Sequence, residues 1–210
     1  MSAVLALDLS SPRGVLAVVR EGEVLHEAAF VSERSHNARL FVPLAEALDS
    51  LGEGPARLVV GTGPGSYTGV RIAIAAAQGL ALARGWPVFG LPSIATATES
   101  PCRVLGDARR GLFYVARVAA GEVGELRLLD AEVARAEVAA GDDWFTFDAV
   151  APLGLESVRL ARPNAIALAR LGAGLSEAQV AKAATRPLEP LYLQEAFITT
   201  ARKAGKQVTA

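Results

Sequence analysis

The sequence predicts an α/β protein built from two tandem βββαβα units. A strand, a glycine-rich turn and a nearly all-apolar helix follow one another in residues 57–85. Short strands joined by tight turns precede this segment, as expected of an antiparallel meander. The same order of elements recurs more weakly in the second half. The sequence therefore indicates an internally duplicated, ribonuclease-H-like fold.

The first unit begins with three strands and a helix. The strands are predicted at residues 3–9, 15–20 and 24–31, with turn residues between them. A helix is predicted over residues 36–51, where Leu40, Leu44 and Leu48 recur at helical spacing and Phe41 lies on an adjoining face.

The central helix, after Ser66 or Thr68 as its cap, is apolar nearly all round. Between residues 70 and 83 only Arg71 and Gln78 are strongly polar. One apolar face carries Val70, Ile74, Ala77 and Ala81, and a second carries Ile72, Ala75, Ala76, Gly79, Leu82 and Ala83. A helix of this kind is buried on both sides. Its second cover is either another part of the same lobe or a partner protein.

The glycine-rich turn before this helix has two interpretations. Free amides in the first turn of a helix bind phosphate, but the segment lacks the Gly-Lys-Ser/Thr of a Walker loop and the G-x-G-x-x-G of a dinucleotide site. The alternative is a tight turn packed under another element.

The second unit starts near residue 101. After a strand at 86–90 and a short helix at 94–99 capped by Ser93, strands are predicted at 104–107, 112–118, 126–129 and 145–150, and helices at 132–139 and 163–171. We therefore divide the chain into residues 1–101, an N-terminal lobe with the glycine-rich turn, and residues 102–210, a C-terminal lobe with a tail.

Composition excludes several classes of function. The 210 residues carry a net charge of -1, which gives no electrostatic footprint for nucleic acid. Cys102 is the single cysteine, so there is no internal disulfide and no thiolate metal cage. Neither a signal peptide nor a membrane-spanning run is present, and we expect a cytoplasmic protein without membrane contact.

Five stretches resemble the TsaB family, bacterial proteins needed for the threonylcarbamoyl-adenosine modification of tRNA. They are LALDLSSPRG (residues 5–14), ERSHNARLFVPL (33–44), GTGPGSYTGVRIAIAAAQGLALARGWPVFGLPS (61–93), DARRGLFYVA (107–116) and EPLYLQ (189–194). The resemblance implies the two-lobed actin/sugar-kinase/Hsp70-type fold (ASKHA). It also implies partnership with TsaD, a paralogue of the same fold that transfers the threonylcarbamoyl group to adenosine 37 of tRNA.

TsaD carries a histidine-bearing metal motif where this chain reads LPSIATA at residues 91–97, without histidine. His26 and His36 are the only histidines, and metal sites commonly need a cluster of such ligands. The resemblance thus implies a non-catalytic subunit with no metal and no cofactor of its own, and with ATP or ADP at the shared interface of the complex. Its implied partners are TsaD, a TsaE-type ATPase and a second copy of itself, with tRNA contacted only indirectly.

The resemblance also implies which residues act. TsaD pairing and self-association use the two helices packed as a four-helix bundle. The expected interface residues are His36, Leu40, Phe41, Leu44, Leu48, Val70, Ala73, Ile74, Ala76, Ala77 and Leu80. In this fold the end of the first strand usually meets nucleotide phosphate. The nucleotide-binding candidates are accordingly Asp8, Ser10, Ser11, Gly63, Gly65 and Asp107, with turn capping as the alternative role.

Two other functions compete with the subunit interpretation. The chain acting alone as a nucleotide-dependent phospho- or carbamoyltransferase would use the cleft between the lobes, but no lysine or metal-ligand cluster lies near its motifs. A peptidase would need an activated nucleophile or a metal site, and the sequence has no H-E-x-x-H motif.

Overall fold

A computed structural model describes residues 3–31 and 36–193, which form two lobes, each around a mixed β-sheet. The strands of the first sheet are β1 (Ala3–Asp8), β2 (Arg13–Arg20), β3 (Glu23–Val31), β4 (Ala56–Gly61) and β5 (Val88–Leu91). They lie in the order β3-β2-β1-β4-β5. Pairing is antiparallel among β1, β2 and β3 and parallel from β1 through β4 to β5.

The second sheet repeats this plan. Its strands are β6 (Cys102–Asp107), β7 (Phe113–Ala119), β8 (Glu122–Val123), β9 (Arg127–Leu129), β10 (Trp144–Thr146) and β11 (Val158–Leu160). The order is β11-β10-β6-β7-β8, with β9 also on β7. The meander β6-β7-β8/β9 is antiparallel, and β6, β10 and β11 are parallel. The two sheets therefore share one topology, which confirms the predicted duplicated α/β fold.

The described residues contain five α-helices. They are α1 (His36–Leu51), α2 (Tyr67–Arg84), α3 (Ala131–Ala139), α4 (Ala165–Ala173) and α5 (Glu177–Ala184). The cap of α2 is Ser66, whose hydroxyl accepts a hydrogen bond from the Gly69 amide. Asn164 caps α4 in the same way, so Pro163 precedes that helix. Within the described ranges no helix is both long and apolar enough to cross a bilayer.

Helices cover both faces of the first sheet. On one face, α1 and α2 bury Leu40, Leu44, Val70 and Ala73 against β1, β2 and β4. On the other face, Leu168 and Ala169 of α4 and Val180 of α5 pack against the same sheet. The chain therefore returns to the first lobe after residue 164, and the division at residue 101 stays a prediction.

Some local predictions were wrong. The strand predicted at 145–150 ends at Thr146, because Thr146 Oγ1 accepts from the Asp148 amide and the chain turns. A 3-10 helix, Ser93–Thr96, replaces the helix predicted at 94–99. Ser93 does not cap it, since its Oγ accepts from the Gly63 amide at 2.9 Å. The strands β8 and β11 and the helix α5 were not predicted.

Candidate functional site

An apolar groove runs between α1 and α2 on the outside of the first lobe. It encloses about 610 Å³. Nine residues without a charge or a polar side chain line it: Phe41, Leu44, Ala45, Leu48, Ile72, Ala75, Ala76, Gly79 and Leu80. We name this feature the α1–α2 groove. Phe41, which lines the groove, is 59% exposed, and Leu82 on α2 is 88% exposed. Contiguous exposed apolar surface of this kind is typical of an interaction site.

The predicted interface residues divide into two groups in the structure. Phe41, Leu44, Leu48, Ala76 and Leu80 line the α1–α2 groove. Leu40, Val70, Ala73, Ile74 and Ala77 are buried against the first sheet. The second group therefore supports the groove from beneath and offers no free surface. The side chain of His36 lies outside the described part of the chain.

The outward face of α2 includes residues that were not among the expected interface residues. Ala75 and Gly79 are exposed and line the groove. A Cβ added to Gly79 would meet no atom within 4 Å, so nothing within the described chain explains a glycine there. Glycine inside a helix costs about 1 kcal/mol relative to alanine, while its bare backbone lets another helix approach closely.

The glycine-rich turn is packed under the turn between β1 and β2. A Cβ on Gly65 would lie 2.1 Å from the carbonyl oxygen of Ser10, and one on Gly69 would lie 2.0 Å from that of Leu9. The Ser66 amide donates to the same Ser10 oxygen at 2.6 Å. These glycines therefore accommodate neighbouring backbone carbonyls. Two carbonyl oxygens beside the turn repel an anion, and the geometry favours the packed-turn interpretation.

Asp8 ends β1 within the core. Its side chain is 1% exposed, and Oδ1 accepts from the Ser10 amide at 2.8 Å. Oδ2 has no hydrogen-bond partner among the described residues, and a Cβ on Gly61 would collide with it. Burial raises the pKa of the Asp8 carboxyl, against the hydrogen bonds it accepts.

A cleft of about 1270 Å³ separates the lobes. Ser10, Ser11 and Gly65 line its first-lobe wall, and Asp107 lines the other. Asp8 and Gly63 are not among the residues that line it. Four of the six nucleotide-binding candidates therefore line one cleft and two do not, and nucleotide binding stays a prediction.

The second-lobe wall contains a small charged cluster. The Asp107 amide donates to Asp148 Oδ2 at 2.8 Å, and Asp107 Oδ1 accepts from the Arg109 amide at 2.7 Å. Burial raises the pKa of Asp148, and the neighbouring Asp107 carboxylate adds to this. Asp107 thus performs the turn-capping role that the sequence left open. No group of three or more potential metal ligands occurs within the described ranges.

The match to a protein family decides the classification. The family model of TsaD, tRNA N6-adenosine threonylcarbamoyltransferase, matches residues 25–188. The chain belongs to this family.

Individual relatives of this TsaD-family chain include TsaB proteins. It is 32% identical to the tRNA threonylcarbamoyladenosine biosynthesis protein TsaB of Bacillus subtilis, over 53% of this chain and 52% of that protein. It is 37% identical to an uncharacterized protein of Mycobacterium tuberculosis, over 58% of this chain and 61% of that protein. The alignment thus spans roughly half to three-fifths of these relatives' length. The structure of YeaZ from Pseudomonas aeruginosa superposes with a TM-score of 0.64 at 28% identity, covering 92% of this chain and 100% of that one. The resemblance to TsaB is confirmed.

Proposed function

We propose that this chain is a non-catalytic subunit of threonylcarbamoyladenosine biosynthesis, which supports a TsaD-type transferase that docks in the α1–α2 groove. The observation that carries the proposal is the groove itself: nine uncharged residues on α1 and α2, with an unexplained glycine on the outer face of α2. The relatives named TsaB are tRNA threonylcarbamoyladenosine biosynthesis proteins, and we assign this chain to the same pathway.

A helix pair is the occupant that the groove fits best. Small residues at Ala75, Ala76 and Gly79 lower the wall formed by α2, so a partner helix can approach its backbone. A TsaD-type partner of the same fold offers an equivalent helix pair, and the two pairs would pack as a four-helix bundle. A second copy of this chain would use the same surface, so self-association and partner binding would compete.

The residues of the interlobe cleft support a non-catalytic role. The backbone carbonyls of Leu9 and Ser10 pack against the glycine-rich turn, where a phosphate cradle needs free amides. The three lysines, Lys182, Lys203 and Lys206, are all distant in sequence from that turn. In this proposal ATP or ADP binds at the interface shared with the partner, and a TsaE-type ATPase is a third subunit. The partner supplies the tRNA contact, and the assembly works in the cytoplasm.

Reconstitution tests the function. We expect the TsaD-type and TsaE-type proteins of the same organism to transfer threonylcarbamoyl to tRNA efficiently only when this chain is added. Gly79→Arg, which places a charged side chain in the groove, should abolish that stimulation. Ala136→Arg is the matched control, because it adds the same side chain at an exposed position of α3 in the second lobe.

Two results would overturn the proposal. Transfer that proceeds equally well without this chain would remove the subunit role. ATP-dependent transfer by the isolated chain would favour the alternative of an independent phospho- or carbamoyltransferase.

A further inference from the structure

The polypeptide joins the two lobes at two neighbouring crossings. Residues 97–101 lead from the first lobe into β6, and residues 161–164 lead from β11 back to α4. The Asn164 amide donates to Thr96 Oγ1 at 3.3 Å, so the crossings lie side by side. Two adjacent crossings form a hinge about which packed lobes can rotate.

Residues 188–193 make a third, non-covalent connection. Leu188 packs against the first-lobe core beneath α1 and α2. It also lies so close to Gly90 that a Cβ there would be 2.8 Å from Leu188 Cδ1. Leu193 packs against the second-lobe cluster that contains Val104 and Tyr114. One short segment therefore has an apolar anchor in each lobe.

Between these anchors the segment follows the rim of the interlobe cleft. The Leu191 amide donates to the Thr62 carbonyl oxygen at 2.8 Å. The Tyr192 ring packs on the Tyr67 ring with 5.8 Å between centroids. Arg71 also contacts Tyr67, since its Nη1 donates to the Tyr67 hydroxyl at 2.8 Å. Both rings are about half exposed.

We propose that residues 188–193 form a releasable latch that sets the opening of the interlobe cleft. With the latch docked, its two anchors add a connection between the lobes. With it released, the lobes are joined by the two crossings, by Ile94 in the second-lobe cluster and by the close approach of Leu171 of α4 to the turn at Gly121, and the cleft can open about these contacts. This inference goes beyond the proposed function and requires no partner.

The latch is loosely packed, as expected of a segment that can detach. An open pocket of about 170 Å³ adjoins it, lined by Thr62 and Val70 of the first lobe, Ala108 of the second and Leu191 of the latch. Missing contacts on one side reduce the dispersion energy of docking, and segments with few buried contacts open first. Pro187 and Pro190 restrict the detached chain, which lowers the entropic cost of docking again.

A distance measurement across the cleft tests the latch. Spin labels at Thr68→Cys and Val150→Cys, which line opposite walls, are introduced into the full chain with Cys102→Ala, since Cys102 is the only native cysteine. Pulsed electron paramagnetic resonance then gives the interlobe distance distribution. Leu191→Pro removes the amide that bonds Thr62 but keeps both apolar anchors. Tyr192→Ala removes the ring contact at a half-exposed position, where the fold tolerates the change.

We expect a narrow distribution in the parent and a shift to longer, broader distances in both latch variants. Leu160→Ser is the matched control, because Leu160 is an exposed apolar residue of the second lobe on β11, and it should keep the parent distribution. An unchanged distribution in Tyr192→Ala, with parent-like thermal unfolding, would overturn the latch even if Leu191→Pro failed to fold.

Discussion

Nη1 of Arg57 donates a 2.8 Å hydrogen bond to the carbonyl oxygen of Leu175, 118 residues later in the chain. The same nitrogen lies 3.4 Å from the Gly172 carbonyl oxygen, and Nη2 bonds the Glu177 carboxylate. The Arg57 side chain is 10% exposed, whereas that of Glu177 is 86% exposed. A buried cation on β4 therefore fixes the turn between α4 and α5 to the first sheet.

Replacing Arg57 by methionine should lower the free energy of unfolding by about 2–3 kcal/mol, because buried carbonyl oxygens then lose a charged donor. Urea denaturation measures this. Glu177→Gln, at the exposed end of the same contact, should cost less than about 1 kcal/mol. Equal losses in the two variants would mean that the ion pair, and not the carbonyl capping, holds the helices.

Two alanine substitutions in the glycine-rich segment should have opposite signs. Gly65→Ala should destabilise the fold by about 1–3 kcal/mol through overpacking, since its Cβ would lie 2.1 Å from a backbone oxygen. Gly79→Ala should stabilise the isolated chain by about 1 kcal/mol, because α2 gains helix propensity without a clash. The two unfolding curves decide this, and a stabilising Gly65→Ala would contradict the packed-turn interpretation.

The stability of the fold should depend on the ionisation of Asp8. Burial raises the pKa of this carboxyl in the folded state above its ordinary 3.8, so the folded protein keeps a proton that the unfolded chain releases. The free energy of unfolding should therefore fall as the pH rises from about 3.8 toward the folded pKa, and stay low above it. Asp8→Asn, whose side chain does not ionise, should remove this fall.

Denaturation midpoints between pH 4 and 8 test this prediction. Asp49→Asn, on the exposed side of α1, should leave the pH profile of the parent unchanged. If Asp8→Asn and the parent gave parallel profiles, Asp8 would not be the group responsible.

The sequence was most informative where a local signal decides the structure. Helical spacing over residues 36–51 was sufficient to locate α1. Ser66 or Thr68 was expected to cap α2, and the structure shows that Ser66 is the cap. Turn residues separated the antiparallel strands of both sheets. The order of elements then predicted the duplication, which the identical strand order of the two sheets confirms.

The sequence was least informative where long-range packing decides. Periodicity shows that α2 has two apolar faces but not which one lies on the sheet, so Val70 and Ala73 were expected at an interface and are in the core. The three-residue strands depend on pairing rather than on their own propensity: β10 pairs with β6, and β11 pairs with β10. The carbonyl oxygens against Gly65 and Gly69 come from a turn more than fifty residues away, which no local motif could reveal.

The Gly79→Arg substitution links the groove to assembly. It should not destabilise the free chain, since the site is open and arginine has a higher helix propensity than glycine. Binding of a TsaD-type partner, measured by calorimetric titration, should fall below detection, while Ala136→Arg should bind as the parent does. Parent-like affinity in Gly79→Arg would place any interface elsewhere on the molecule.

Size-exclusion chromatography with light scattering, on this chain alone and mixed with the TsaD-type protein of the same organism, tests the central claim most directly. We predict a mixed species whose mass exceeds that of the partner by 21.8 kDa per bound chain, at the expense of any self-associated form of this chain. A chain that elutes at 21.8 kDa whether or not the partner is present would contradict the docking role of the α1–α2 groove.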